Sequence, residues 1–363
     1  MPRFHPLTVK QIRRKTPDCV SVLFAVPGGL EDLFAYRQGQ HLTFRRTVDG
    51  EELRRNYSIC ASVDDQALRI AVKRVEGGRF SPFVNEDLQV GDQIEAMPPS
   101  GRFFLEIEPD RRRRYAFFAA GSGITPVISN VKTILENEPL SDEALVYGNR
   151  DRRSIIFGEE LQDLKDSYLT RFRLVHLLSR ESHEVPLFEG RIDGEKVKAL
   201  ASTLVPLDTI DAAFICGPST MIDEVRQTLK DKSVDPATIH YELFGPKSRH
   251  VVSRPAQRER ATTDGGDAEV TVILDSTSTR FTMAKQGTGA GPSVLEAARN
   301  AGADAPFACK AGVCSTCRAR LVEGEVTMAQ NFALEQGELD AGFILTCQSR
   351  PLTPKLTVDY DQV

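Results

Sequence analysis

Cys309, Cys314 and Cys317 stand at C-x4-C-x2-C spacing, and Cys347 follows after 29 intervening residues. Four thiolates so spaced can hold the two irons of a [2Fe–2S] cluster, which takes up and releases one electron at a time. The loop CKAGVCSTC suits that task, because small residues between the ligands let the chain wrap tightly and turn backbone N–H groups toward the sulfurs. Zinc is the rival reading. Structural zinc usually shows paired C-x2-C units or histidine ligands, whereas here the one short pair is Cys314/Cys317 and no histidine lies beyond His250. The spacing therefore favours single-electron chemistry.

A second group of residues has the chemistry to hold nucleotides. The stretch YAFFAAGSGITP runs an apolar strand into Gly121-Ser-Gly123 and then into a helix near Pro126. Glycines let a backbone approach a pyrophosphate, and a helix start offers free N–H groups and a favourable dipole. Alone the turn is a weak signal, since the full G-x-G-x-x-G fingerprint is absent. It gains weight from FICGPSTM, where Cys216, Gly217 and Pro218 end another strand before another helix, so that two strand ends could flank one crevice. Upstream, LRRNYSIC sets Arg55, Tyr57 and Ser58 on or beside a strand. These offer a guanidinium for a phosphate, a ring to cover a flat cofactor and a hydroxyl to bond it. A plain edge strand would look the same. The segment EGGRFSPF opens a helix with Gly78 and Ser81, another candidate anion site.

The elements that must position these groups fall into distinct styles. Residues 1–108 hold short alternating runs (CVSVLFAV, HLTFR, LRIAVKRV, DQIEAM) separated by Gly and Pro turns, the pattern of a small antiparallel barrel. Over 109–244, apolar strands (YAFFAA, EALVYGN, FRLVHLLS, AAFICG) alternate with helical stretches, which predicts a doubly wound parallel α/β sheet. Between the two lies the basic run Arg111–Arg114, read as a solvated stretch. Residues 245–268 are rich in Gly, Pro, Ser and charge and read as a linker. From 269 to 363 the order strand, strand, helix, cysteine loop is that of a β-grasp ferredoxin domain.

At 363 residues the chain is long enough for two or three domains. With 40% hydrophobic and 27% charged residues it has the composition of a globular protein. Neither a signal peptide nor a membrane span is apparent, and Cys19, Cys60 and Cys216 are too dispersed for a disulfide framework, so a reducing cytoplasm is expected. A net charge of −5 argues against nucleic acid as a partner. The part from Asp267 onward carries twelve acidic and eight basic side chains, −4 of that total. Such a surface can steer toward a basic partner, although solubility alone would explain it equally well.

Taken in order, R-x-Y-S (Arg55 to Ser58), G-x-x-S (Gly78 to Ser81), G-S-G-I-T-P and C-G-P resemble the ferredoxin–NADP reductase superfamily over residues 1–244, joined to a plant-type ferredoxin. DGEELRRNYSIC, EGGRFS, GRIDGEKV and the cysteine loop are most similar to the reductase subunits of phenylacetyl-CoA epoxidases. The resemblance implies that Arg55 binds flavin phosphates, Tyr57 stacks on the isoalloxazine, and Ser58 bonds near its reactive N5. It implies that backbone at Val72 and Lys73 edges the ring, and that Gly78, Arg79, Phe80 and Ser81 cradle the FAD pyrophosphate. Gly121, Gly123, Thr125 and Pro126 would bind the nicotinamide nucleotide, with Thr125 at the nicotinamide. Cys216 and Gly217 would line that pocket, and Phe244 would shield the flavin's other face. Ser179 and Arg180, with Arg150 nearby, match a Ser-Arg pair for a 2′-phosphate, which favours NADPH over NADH; the dipeptide is also a common surface pair.

The implied activity is an NADPH-dependent oxidoreductase. It passes electrons through FAD and [2Fe–2S] to the oxygenase (hydroxylase) component of a multicomponent system, with no nucleic-acid or membrane partner. The flavin takes electrons in pairs and gives them up singly. No histidine shows the ligand spacing of an oxygen-activating iron site, so oxygen chemistry belongs to the partner. The alternatives are a reductase for a Rieske or steroid hydroxylase, and a sensing module that keeps the fold without turnover.

Overall fold

Alternation along the first hundred residues produces strands whose apolar faces turn inward. In the computed structural model, which describes residues 4–244, 266–285 and 291–362, these are β1 (His5–Thr16), β2 (Cys19–Ala25), β3 (His41–Val48), β4 (Glu51–Ser58), β5 (Arg69–Lys73) and, after helix α1 (Ser81–Glu86), β6 (Gln93–Ala96). They form one antiparallel sheet in the order β4-β3-β6-β1-β2-β5. The sheet closes where Ile59 bridges Ile70 and the Cys60 N–H donates to the Arg69 carbonyl at 2.9 Å. Leu7, Val22, Leu42, Phe44, Ile59 and Val72 fill the interior. β2 and β5 are buried on their outer face too, because Cys19 and Ala71 belong to the neighbouring core.

The continuous apolar runs that follow are covered on both faces, as parallel strands must be. β7 (Arg114–Ala120) leads through a 3-10 turn at Gly121–Gly123 into α2 (Ile124–Asn137). Then come β8 (Asp142–Asn149), α3 (Gly158–Ser167), β9 (Phe172–Leu178), α4 (Gly194–Ala201), β10 (Ala212–Cys216), α5 (Ser219–Asp231) and β11 (Ile239–Glu242). The parallel sheet runs β11-β10-β7-β8-β9. Strand order reverses between β7 and β10, and a doubly wound sheet opens its crevice at the C-terminal ends of such a pair. Helix α2 starts two residues before Pro126, whose missing N–H costs nothing in a first turn.

Barrel and sheet form one unit, Phe4–Phe244. Ser129 of α2 donates to the Ala61 carbonyl at 2.7 Å and Asn130 to the Phe103 carbonyl at 2.8 Å. β5 lies against the Gly121–Gly123 turn. The basic run Arg111–Arg114 is not uniformly solvated. Arg113 is buried and donates to Glu138 at 3.2 Å, to the Tyr115 hydroxyl at 3.1 Å and to the Glu106 carbonyl at 3.0 Å. A buried guanidinium needs such partners.

The residues after Phe244 make the second unit. Most of the stretch read as a linker, 245–265, lies outside the described residues, and β12 (Asp267–Leu274) begins at its end. β13 (Thr277–Ala284), α6 (Val294–Asn300), β14 (Arg318–Glu323), β15 (Val326–Met328), α7 (Gln336–Asp340), β16 (Phe343–Leu345), β17 (Ser349–Pro351) and β18 (Lys355–Asp359) follow. The main sheet is mixed, in the order β13-β12-β18-β14-β16, with β12 and β18 parallel. Helix α6 starts with a reciprocal Ser293–Glu296 capping box and buries Val294, Leu295 and Ala298 in the core with Val270 and Val272. Among the described residues, no helix is long and apolar enough to cross a membrane.

Candidate functional site

The loop between α6 and β14 carries Cys309, Cys314 and Cys317, and Cys347 sits between β16 and β17. Lys310 and Ser315 take left-handed backbone (φ 51° and 54°). These turns wrap the loop so that the Ala311 N–H donates to Cys309 Sγ at 3.3 Å. Val313 also gives a backbone N–H to Cys309, and Gly312 one to Cys347. The thiols stand in two pairs. Cys314 donates to Cys309, pulling it down to about 6, and Cys317 donates to Cys347, lowering it as well. The two donors are held well above the usual thiol range by that bond and then by burial. Among the described residues no three His, Cys, Asp or Glu side chains converge on one ion position. Two thiol pairs fit two irons with two ligands each.

In the barrel, Tyr57 packs its ring against Phe80 (5.7 Å between centroids) and Phe44 (6.1 Å), leaving part of the ring open. Arg55 is exposed beside it. The Gly78 N–H closes a turn on the Val75 carbonyl at 3.0 Å, and buried Ser81 accepts from the Val75 N–H at 3.0 Å. Arg79 is not free: it is bound to the Val48 carbonyl at 2.9 Å and to Glu51, tying this loop to the β3–β4 turn. The Val72 carbonyl accepts from Asn85 at 3.0 Å, and Lys73 pairs with Asp18 at 3.6 Å. An aromatic shelf, an exposed guanidinium and a tight loop are a fitting set for a flavin nucleotide.

At the sheet's crevice Gly121 has φ 54°, with nothing within 4 Å of where a side chain would begin. Its carbonyl accepts from Tyr147 at 2.9 Å, and the buried Thr125 hydroxyl donates to the Ser122 carbonyl at 3.0 Å. Gly123 meets a different need. A Cβ there would lie 2.1 Å from the Cys216 carbonyl oxygen, so the two strand-end turns touch backbone to backbone. Thus the turns of Gly121–Gly123 and Cys216–Gly217 lie side by side at the strand ends, with Gly123, Thr125, Pro126 and Cys216 buried and Gly121 and Gly217 half-exposed.

One part of the site has no signal in the motifs. β11 pairs with β10 so that Glu242 stands opposite Cys216. The Ser58 hydroxyl reaches across from the barrel and donates to Glu242 Oε2 at 3.4 Å. His41 Nδ1 lies 3.8 Å from Glu242 Oε1. Thr43 donates to Asn56 Oδ1 at 2.9 Å, which aims the Asn56 amide at His41 Nε2, 3.0 Å away. Accepting there leaves the ring proton on Nδ1, facing Glu242. Burial pushes Glu242 up to about 8 and His41 down to about 4. Cys216 is also pushed well up by burial, then by Glu242. All three groups are driven toward neutrality around Ser58.

Three family descriptions match the chain: an oxidoreductase FAD-binding domain over residues 6–105, an oxidoreductase NAD-binding domain over 117–227 and a 2Fe-2S iron-sulfur cluster binding domain over 286–352. The chain is 41% identical over 366 residues to a component of the 1,2-phenylacetyl-CoA epoxidase of Escherichia coli (strain K12), covering 99% of each. The chain belongs to the oxygenase reductase components of the ferredoxin–NADP reductase superfamily. A second relative of this reductase, the "3-ketosteroid-9-alpha-monooxygenase, ferredoxin reductase component" of Rhodococcus rhodochrous, is 34% identical over 98% of the chain and 96% of the relative. Its fold is that of phthalate dioxygenase reductase (TM-score 0.58, 24% identity, 98% of both chains). The reductase therefore uses FAD, a nicotinamide coenzyme and a [2Fe–2S] cluster.

The cations expected at the coenzyme's ribose gather where β8 and β9 end. Ser179 N–H donates to the Asn149 carbonyl at 3.0 Å and Arg180 N–H to the Arg150 carbonyl at 2.8 Å, so both strand ends are zipped together. The side chains of Ser179 and Arg180 are exposed, whereas Arg150 is engaged by Asp18 at 3.0 Å. Glu181 is held by Arg152, through its backbone N–H and its Nε, both at 3.0 Å. Phe244, at 47% exposure, follows directly after β11.

Proposed function

We propose that this reductase draws electrons from NADPH and delivers them to the oxygenase component of a phenylacetyl-CoA epoxidase. The observation that carries this reading is the 41% identity over 99% of both chains to the Escherichia coli protein. Residues 1–108 would hold FAD, 109–244 the coenzyme and 269–363 the cluster. Seven cysteines without a disulfide suit a reducing cytoplasm. Preference for NADPH is supported by exposed Ser179 and Arg180, and by the tethering of Glu181 to Arg152, which occupies the nearby carboxylate that would otherwise accept from a ribose hydroxyl.

FAD held here would supply the conversion of a nicotinamide's electron pair into single electrons for the cluster. The chain's own residues prepare that exchange. Arg55 is the guanidinium for the flavin phosphates, Tyr57 the stacking ring, and the loop of Gly78, Arg79, Phe80 and Ser81 the pyrophosphate cradle. Val72 and Lys73 supply the edge strand, and Phe244 the cover on the opposite face. Gly121, Gly123, Pro126 and Gly217 shape the coenzyme crevice, with Thr125 and Cys216 at the nicotinamide and Arg150 as an additional cation. Ser58 links this place to Glu242, whose carboxyl at about 8 retains its proton at neutral pH. His41, kept neutral by burial, places no positive charge beside that carboxyl. The cluster is held by Cys309, Cys314, Cys317 and Cys347.

Reconstitution tests the reading. With NADPH, the protein should drive substrate oxygenation by the epoxidase's oxygenase component and fail with a Rieske terminal oxygenase. The opposite outcome would favour the second reading, that of a steroid or ring hydroxylase reductase, which rests on the 34% identity to the Rhodococcus component.

A further inference from the structure

We propose that Gln348 sets the reduction potential of the cluster, by donating a side-chain hydrogen bond to the ligand Cys347. Its amide Nε2 lies 3.6 Å from Cys347 Sγ and 2.9 Å from the Lys310 carbonyl. Lys310 presents only a carbonyl there, which fixes the amide with its NH2 end toward the cluster loop. One proton then goes to the first ligand turn and the other to the last ligand. The residue is 9% exposed and packs beside Gly312 of the ligand loop, where an added Cβ would stand 3.2 Å from its Cγ.

The physical effect has a definite sign. A donor to a ligand sulfur stabilises the cluster more when it carries the extra negative charge of the reduced state. Hydrogen bonds to the sulfurs are among the features that set such potentials. Backbone donors such as the Ala311 N–H come with the wrapping of the loop, whereas this one depends on a side chain. Gln348 is therefore a positioning and tuning residue, and it touches no reacting carbon. The inference rests on the four cysteines being the cluster ligands.

The test is a redox titration of the full-length holoprotein, followed by EPR of the reduced cluster. Gln348→Met keeps the length and removes the donor. At a fixed potential its cluster should be about tenfold less reduced, ~59 mV lower for a one-electron couple, with iron and labile sulfide unchanged. An unchanged potential with full iron content would overturn the proposal. Should the variant lose its cluster, the unaltered protein still decides. Pulsed EPR with glutamine labelled by 15N in the side-chain amide should show a nitrogen coupling to the reduced cluster, and its absence overturns the assignment. Iron missing from the unaltered protein would instead overturn the ligand set itself.

Discussion

The two redox regions of this reductase handle charge in opposite ways. Around Ser58, where we place hydride transfer, burial drives three groups toward their neutral forms: Glu242 is raised to about 8, Cys216 is raised well above the usual thiol range and His41 falls to about 4. In the cysteine loop, donated hydrogen bonds outweigh burial at Cys309 and Cys347, and both thiols shift toward the charged form. The difference follows the chemistry. Hydride transfer brings one proton with two electrons and deposits a net negative charge, so it is favoured by surroundings that keep their protons and add no negative charge of their own. Single-electron transfer moves charge alone, so its surroundings must tolerate anionic sulfur.

The sharpest way to separate the regions is Cys314→Ser. Flavin reduction by NADPH, followed by absorbance, should persist, while one-electron delivery to cytochrome c is abolished; sustained cytochrome c reduction would show that electrons leave without the cluster. Next, Glu242→Gln removes the proton store from the first region only. Flavin reduction should fall by roughly 100-fold at pH 7, as for loss of a general acid, and the pH profile should lose its limb near 8. A profile unchanged by the substitution would make Glu242 merely structural.

Coenzyme choice gives a smaller effect. Arg180→Gln should raise the KM for NADPH about tenfold, the loss of one charge-assisted bond to phosphate, and leave the KM for NADH alone. An equal rise for both would refute the 2′-phosphate role. Smallest is the effect on stability. Glu242 binds its proton more tightly folded (about 8) than unfolded (near 4.5), so stability present below 4.5 is lost as pH rises toward 8. His41, lowered from 6.5 to about 4, works in the other direction and costs stability as pH falls between those values. Between pH 6.5 and 8 His41 no longer titrates, so Glu242 should account for a loss of at most about 2 kcal/mol in denaturant unfolding that Glu242→Gln removes.

Much of this arrangement is legible in local sequence. The alternation in CVSVLFA and the apolar runs of YAFFAA and AAFIC yield β2, β7 and β10, because periodicity reports which faces are buried. The cysteine spacing yields the Cys309–Cys314 pair because a short loop leaves few ways to gather them, whereas Cys317 meets Cys347 only through the turn after β16. Long-range partners are another matter. Glu242 lies 184 positions from Ser58, in a four-residue strand whose apolar pattern is too short to read. An acidic residue shortly before the final aromatic of the reductase segment, in HYELF, was the available hint. Arg113 hides inside a run of like charges, and nothing local tells a buried guanidinium from solvated ones. Gly123 looks like a phosphate-binding glycine, yet what demands it is the carbonyl of Cys216.

That last contact limits how this scaffold can be rebuilt. Only a hydrogen atom fits between Gly123 and Cys216, so the two turns form a lock and key within one chain. Transplanting either turn from a distant reductase calls for moving its mate as well. The ends of β8 and β9 carry no such constraint at Ser179 and Arg180, whose side chains face solvent. Engineering of coenzyme preference can therefore proceed there as a modular exchange, while the crevice floor is inherited whole.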